Sequence, residues 1–170
     1  MIPAARVGDP VSHVLPPVLA PASGSPNVLI GNLPAWRGIS AAQVAQLLNA
    51  MKDGMIAIKK AELLTKAASG PTEKGVAEAN ELKTKIDETK KLADMIMGFA
   101  AVADIHTCTM IIPPPVHGPG VVIGGSETVL INGQPACRAG DTIQEANVLA
   151  NIPPITNQIV SGCPTVLIGS

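Results

Sequence analysis

The chain opens and closes on two halves of one motif. Its last residues, GCPTVLIGS (162–170), carry a run of valine, leucine and isoleucine closed by glycine, which reads as a β-strand and its turn. Its opening, PAARVGD (3–9), carries Pro-Ala-x-Arg-x-Gly-Asp with no strand before it. Both halves occur joined in GSETVLINGQPACRAGD (125–141), and joined as far as Pro-Ala-x-Arg in GSPNVLIGNLPAWR (24–37). A repeat buries its apolar face against its neighbours, so an incomplete copy at each end is best completed by the other. The two ends are therefore expected to meet in space and close three repeats into a ring.

One copy is interrupted. The strands that begin at Gly24 and Gly125 lie 101 residues apart, whereas those at Gly125 and Gly162 lie 37 apart. The excess falls in 41–103, a stretch that differs in kind from its surroundings. Eighteen of the 25 charged residues lie in 41–104, with a single proline. Ser40 is a suitable N-cap, and Val44, Leu47, Leu48, Met51, Met55 and Ile58 recur at helical spacing. Gly70-Pro71 breaks the pattern, and Thr72 is placed to cap a second helix with the stripe Val76, Ala79, Leu82, Ile86, Ala93 and Met97. Opposite charges one turn apart cover its other face. The expected class is mainly β: a three-repeat domain formed by 1–40 and 104–170, with a helical hairpin over 41–103. The hairpin reads first as a spacer or brace. A chaperone-binding or membrane role is the rival reading, and so dense a charge opposes insertion.

Composition narrows the function. Trp36 and Phe99 are the only aromatic residues, which argues against a large conventional core. A formal charge of −1 gives no basic face for nucleic acid. No apolar run approaches a membrane span, and the N-terminus lacks the pattern of a signal peptide. Three cysteines, an odd number, do not suggest a disulfide framework and leave metal binding or simple burial.

All three histidines lie near repeat boundaries. His13 follows Asp9 by four residues, His106 and Cys108 follow Asp104, His117 sits in PPPVHGPG, and Cys163 heads the last strand. Imidazoles and a thiolate from separate repeats suit a tetrahedral zinc ion, and four protein ligands would make that site structural. A small, aromatic-poor domain has a physical need for such a staple. The expected ligands are His13, His106, His117 and Cys163, with Cys108 as the alternative sulfur donor. Glu145 holds the matching position of the third repeat and is an unexpected ligand. Cys137 is expected only to pack. The competing interpretation is of solvated histidines and small buried cysteines.

PAARVGD and PACRAGD, with GSPNVLIG and GCPTVLIG, resemble the PAAR-repeat family. The resemblance covers 1–39 and about 103–170. It implies a small zinc-bearing β-cone that caps the spike of type VI secretion and related contractile injection machines. Zinc histidines would then fall on His106 and His117, and the cysteine on Cys163. The opening AARVGDPVSH resembles a prePAAR motif (AARxxDxxxH), which would give His13 the remaining ligand position. Some features depart from the pattern. His106 is followed by Cys108-Thr109, His117 by Gly118-Pro119, and Pro34-Ala35-Trp36-Arg37-Gly38 has no following aspartate.

The implied partner is a homotrimeric, VgrG-like spike, which a pseudo-threefold monomer can cap on its axis. The strand motifs 28–30, 129–131 and 166–168 would line the three walls. The implied protein acts in the bacterial cytoplasm before firing and is delivered with the spike, without enzymatic activity, nucleic acid or stable membrane insertion. Two rivals come from other classes. One is an adaptor or effector-carrier whose hairpin binds cargo or a chaperone. The other is a metal-dependent hydrolase, for which Glu145 and Asp141 are the local candidate bases. An enzymatic domain behind the tip is not expected, because the chain ends within the third repeat.

Overall fold

Among the described residues, glycine-closed apolar runs and proline-broken turns give ten short strands, and the charged insert gives two long helices. The computed structural model describes residues 1–12, 18–107, 118–146 and 156–169. In chain order the elements are β1 (Ile2–Ala4), β2 (Leu29–Ile30), β3 (Leu33–Pro34), α1 (Ala41–Ala67), α2 (Pro71–Gly98), β4 (Ile105–His106), β5 (Gly120–Val122), β6 (Leu130–Ile131), β7 (Gln134–Pro135), β8 (Thr142–Glu145), β9 (Thr156–Gln158) and β10 (Cys163–Ile168). The helices hold 27 and 28 residues and no described strand exceeds six, so the content is mixed α and β rather than mainly β. Among the described residues the strands form four small sheets and no closed barrel.

The two ends of the chain do make one hairpin. β1 pairs antiparallel with β10, Ile2 opposite Ile168 and Pro3 opposite Leu167. The continuous copies show the same register: Ile30 faces Leu33 and Leu29 faces Pro34, while Ile131 faces Gln134 and Leu130 faces Pro135. Their turns place two consecutive residues at positive φ, Gly31 and Asn32 in one and Asn132 and Gly133 in the other. Such turns match the twist of the flanking strands and favour glycine and asparagine.

Backbone hydrogen bonds close the three copies head to tail. Trp36 N–H donates to the Ala5 carbonyl (3.0 Å), Cys137 N–H to that of Trp36 (3.0 Å), and Ala5 N–H to that of Cys137 (2.8 Å). One residue outward, bridges join Arg6 to Ala35, Arg37 to Ala136 and Arg138 to Ala4, again in a cycle. Around this ring, Ala5, Val11, Leu19, Trp36, Val122, Cys137, Ile143 and Ile159 form one buried cluster. Trp36 holds the position that Ala5 and Cys137 hold in the other copies, so two small residues leave room for one indole.

The aspartate absent from the first full copy is found beyond the insert. Arg6 pairs with Asp9 and Arg138 with Asp141, each three residues on. Arg37 makes the same fork with Asp104, 67 residues away: its backbone N–H donates to Oδ2 (2.8 Å), Nε to Oδ2 (3.0 Å) and Nη2 to Oδ1 (2.9 Å). Asp104 N–H returns to the Arg37 carbonyl (3.0 Å), as Asp9 does to Arg6 and Asp141 to Arg138 (3.1 Å each). The insert therefore enters the Arg-x-x-Asp turn itself and leaves the turn's hydrogen bonds in place.

Ser40 caps α1 as expected: its hydroxyl accepts from Gln43 N–H (3.4 Å), and the Gln43 side chain accepts from Ser40 N–H (2.9 Å). At α2 the cap is Gly70, with Pro71 as the first helical residue, so Thr72 lies inside the helix rather than at its cap. The buried faces also differ from the expected stripes. α1 buries Leu47, Met51, Gly54 and Ile58, while Leu48 and Met55 are exposed. α2 buries Leu92 and Ile96, while Val76, Leu82, Ile86 and Met97 are exposed. The reason is tertiary. The base of the hairpin packs Leu47, Met51, Leu92 and Ile96 against Ile39, Ile105, Val121 and Ala146 of the repeat domain, and the distal half has no such support. Lys85 bridges Glu62 of α1 (3.2 Å) and Glu81 of its own helix (2.6 Å) in that half.

Candidate functional site

Two regions of the repeat domain carry chemistry or exposed apolar surface that the fold alone does not require. The first is the face made by the three hairpins. Strand alternation turns Ile30, Ile131 and Ile168 inward, into a buried cluster with Ala4, Ala35, Ala136 and Cys163. The neighbouring residues Leu29, Leu130 and Leu167 turn outward and are 63%, 59% and 46% exposed. Ile2 and Leu33 beside them are also exposed, as are Val129 and Val166. Each hairpin thus contributes one equivalent outward-facing leucine, and the three repeat around the ring as an apolar crown, one on each wall. A scattered exposed leucine is ordinary, whereas a set repeated by symmetry marks an interaction surface.

The second region is the sheet of order β4-β5-β8-β9. Its strands alternate between two cores. Ile105 and Val121 face the helices, whereas Val122 and Ile143 face the ring cluster. His106, Gly120 and Glu145 share the ring-facing side, because His106 opposes Gly120 and Gly120 opposes Glu145. His106 and Glu145 are 1% and 0% exposed. Asn157 Nδ2 donates to Glu145 Oε1 (2.7 Å). Burial pushes the Glu145 carboxyl up to about 7, and the Asn157 hydrogen bond only partly opposes this.

The expected metal ligands divide between regions. Cys163 belongs to the crown end and opposes Ala4 across the β1–β10 pair. It stands where Ser25 and Ser126 stand in the other copies. Ser25 Oγ accepts from Val28 N–H and Ser126 Oγ from Val129 N–H, at 3.1 Å each. The Cys163 sulfur sits 3.2 Å from Thr165 Oγ1. Hydrogen bonds from Thr165 and from the backbone N–H groups of Thr165 and Val166 pull its thiol below the ordinary range. Cys163 therefore does for its strand head what a serine does for the other two. His106 lies on β4, in the four-stranded sheet. Among the described residues, no three histidine, cysteine, aspartate or glutamate side chains form a metal-holding group. His13, Cys108 and His117 lie outside the described residues. Cys137 is buried in the ring, where desolvation raises its thiol well above the ordinary range.

Sequence reasoning missed Asp104 as the partner of Arg37 and the burial of Glu145 beside β5. The first had a signal, the Arg-x-x-Asp spacing of the other copies, which the insert hid. The second had none, because only strand pairing places Glu145 across Gly120 from His106.

An apolar groove of about 460 Å³ opens on the distal hairpin, lined by Ala61, Leu64, Val76 and Ala77 among others. Among the described residues, no helix is long and apolar enough to cross a membrane.

The family model described as the PAAR motif matches residues 95–151 and 114–170. No curated protein and no solved structure matches the chain.

Proposed function

Because this is a PAAR-repeat protein, its motifs lying over 95–170, we propose that it caps the trimeric spike of a type VI secretion system or a related contractile injection machine. The observation that carries this reading is the crown. Leu29, Leu130 and Leu167 repeat about a pseudo-threefold ring, so one chain offers each subunit of a VgrG-like trimer a similar apolar contact. A homotrimer closes about a threefold axis, and a monomer with the same approximate symmetry can sit on that axis. The role is mechanical and non-catalytic: the tip stays sharp while the spike crosses an envelope. The protein waits in the bacterial cytoplasm and leaves with the spike.

The PAAR resemblance implies a structural zinc ion, for which His106 is the described histidine donor. His106 is buried on the ring-facing side of its sheet, where side-chain atoms of Ile143 and Glu145 crowd over Gly120. His13 and His117 are the further nitrogen donors. Cys163 is the sulfur donor that the resemblance implies, with Cys108 as the alternative. The ion would cross-link walls that bury too little apolar surface to resist splaying.

The test is binding to the C-terminal trimer of a spike, with stoichiometry read by native mass spectrometry. One chain per trimer is expected. Leu29→Asp, Leu130→Asp and Leu167→Asp should each weaken binding about tenfold or more, since central apolar anchors dominate interfaces. They should leave the melting temperature nearly unchanged, because the wild-type side chains are exposed. Undiminished binding by the triple variant would remove the crown from the interface.

The groove on the distal hairpin favours a second role, as the handle that carries cargo or a chaperone. A variant in which a short linker replaces 41–98 should keep spike binding and lose co-purifying cargo. Loss of spike binding would instead place the hairpin in the docking surface.

A further inference from the structure

The distal half of the helical hairpin leaves apolar side chains without a neighbour. Where two paired helices ordinarily keep an apolar seam, Lys85 joins Glu62 of α1 to Glu81 of α2. Leu64 and Val76 lie to one side of that network and are 61% and 57% exposed. A helix with an apolar stripe needs another element against which to bury it.

The same side of the hairpin is hollowed along its length. Cavities of about 460, 300 and 280 Å³ follow one another along α2 from Thr72 to Met95. Thr84 lines the first and second, and Glu88 and Lys91 line the second and third, so they adjoin as one groove. On α1 the groove runs from Ala50 to Leu64. That stretch is about 21 Å long at 1.5 Å per residue, the length of four helical turns. Ala50, Ala61 and Ala77 line it with small side chains and leave room for another element to approach.

The charges along the groove are mostly of one sign. Asp53, Glu73, Asp87, Glu88 and Asp94 line it, against Lys90 and Lys91. Lys91 is already paired with Glu88. Glu73, Asp87 and Asp94 are exposed and stand at multiples of seven residues, so they form one acidic row along the α2 rim. An apolar floor beside an acidic rim is complementary to an amphipathic helix whose apolar stripe is flanked by lysine or arginine. A lipid surface is a poor match, because anionic headgroups would meet these carboxylates. A second copy presenting the same face would oppose like charges.

We propose that this groove seats one basic amphipathic helix of about four turns, supplied by a protein carried with the tip, which completes a three-helix bundle with α1 and α2. This rests on the reading of the hairpin as a handle and adds the chemistry of what the handle holds. Leu64 and Val76 meet the helix's apolar stripe, and Glu73, Asp87 and Asp94 meet its flanking cations.

The test uses the full chain and two synthetic four-turn helices with the same leucine stripe, one flanked by lysines and the other by glutamates. By fluorescence anisotropy the lysine helix should bind about tenfold or more tightly than the glutamate helix, and added salt should weaken it. Glu73→Lys, Asp87→Lys and Asp94→Lys together should reverse the preference. Ala61→Leu with Ala77→Leu should fill the groove and weaken the lysine helix about tenfold, with no fall in melting temperature. If the filled variant does not fold, the charge-reversed one decides, since its three positions are exposed. Equal binding of the two helices, or binding that a folded variant leaves unchanged, would overturn the proposal. So would a wild-type dimer in native mass spectrometry that either variant returns to monomer, because the groove would then belong to a second copy. Spike binding, followed on the same variants, should stay at the wild-type level. Intact spike binding without helix binding would overturn the occupant alone, whereas loss of spike binding would overturn the handle reading with it.

Discussion

Asp104→Ala is expected to destabilise the protein by about 3–5 kcal/mol, because it strips a nearly buried guanidinium of its carboxylate partner. The Asp104 side chain is 3% exposed and that of Arg37 13%. Three Arg37 hydrogen bonds end on this carboxylate, one of them from the backbone. A surface pair would contribute far less. The position in the chain adds to the effect. Asp9 and Asp141 close turns of four residues, whereas Asp104 holds together the two ends of a turn into which the whole helical insert has been placed. For a chain of this size the loss corresponds to a fall in melting temperature of roughly 10 °C. Denaturant unfolding of the variant, beside Asp9→Ala, measures it. A change below about 1 kcal/mol would mean that the insert is held by its apolar base alone. Replacing both Arg37 and Asp104 by apolar residues of similar volume should recover part of the loss, since no uncompensated charge then remains buried.

Trp36→Ala should cost about 3–5 kcal/mol for a different reason, the cavity it leaves at the centre of the ring. Trp36 is fully buried, in contact with a cluster that contains no other aromatic residue. Because Ala5 and Cys137 occupy the equivalent positions, the ring has space for one indole and not for two. Ala5→Trp alone should therefore destabilise by overpacking. Combined with Trp36→Ala it should destabilise by less than the sum of the two, a coupling that unfolding midpoints of the four proteins would show. Strict additivity would mean that the three positions do not share one space. Trp36→Phe should cost least, since the indole N–H has no hydrogen-bond partner among the described residues and its loss removes a buried donor.

Both effects concern features only half legible in the chain. The repeat was readable because each copy places the same residue types at the same spacing, and the pairing of β1 with β10 follows from the complementary ends. The presence of two helices followed from apolar spacing and from the Ser40 cap, which the Gln43 side chain completes. Which faces those helices bury did not follow. Periodicity gives a stripe, but the packing of Leu47 and Ile96 against Ile105 and Val121 decides which part of it meets a core. The same limit applied to the candidate ligands. Cys163 stood out as a possible metal donor by residue type, and its part in a strand-head turn emerged only beside Ser25 and Ser126.

The sequence by itself determined three repeats, their closure by the two termini and the place of the helical insert. Local spacing and turn chemistry encode those features, and they need no knowledge of distant neighbours. The tertiary structure alone decided that Asp104 completes the turn of Arg37, that each hairpin exposes one equivalent leucine, and that Glu145 lies across a glycine from His106. Each of these depends on residues far apart in the chain. What brings them together is the register of paired strands, and a one-residue slip in that register would send every side chain to the opposite face.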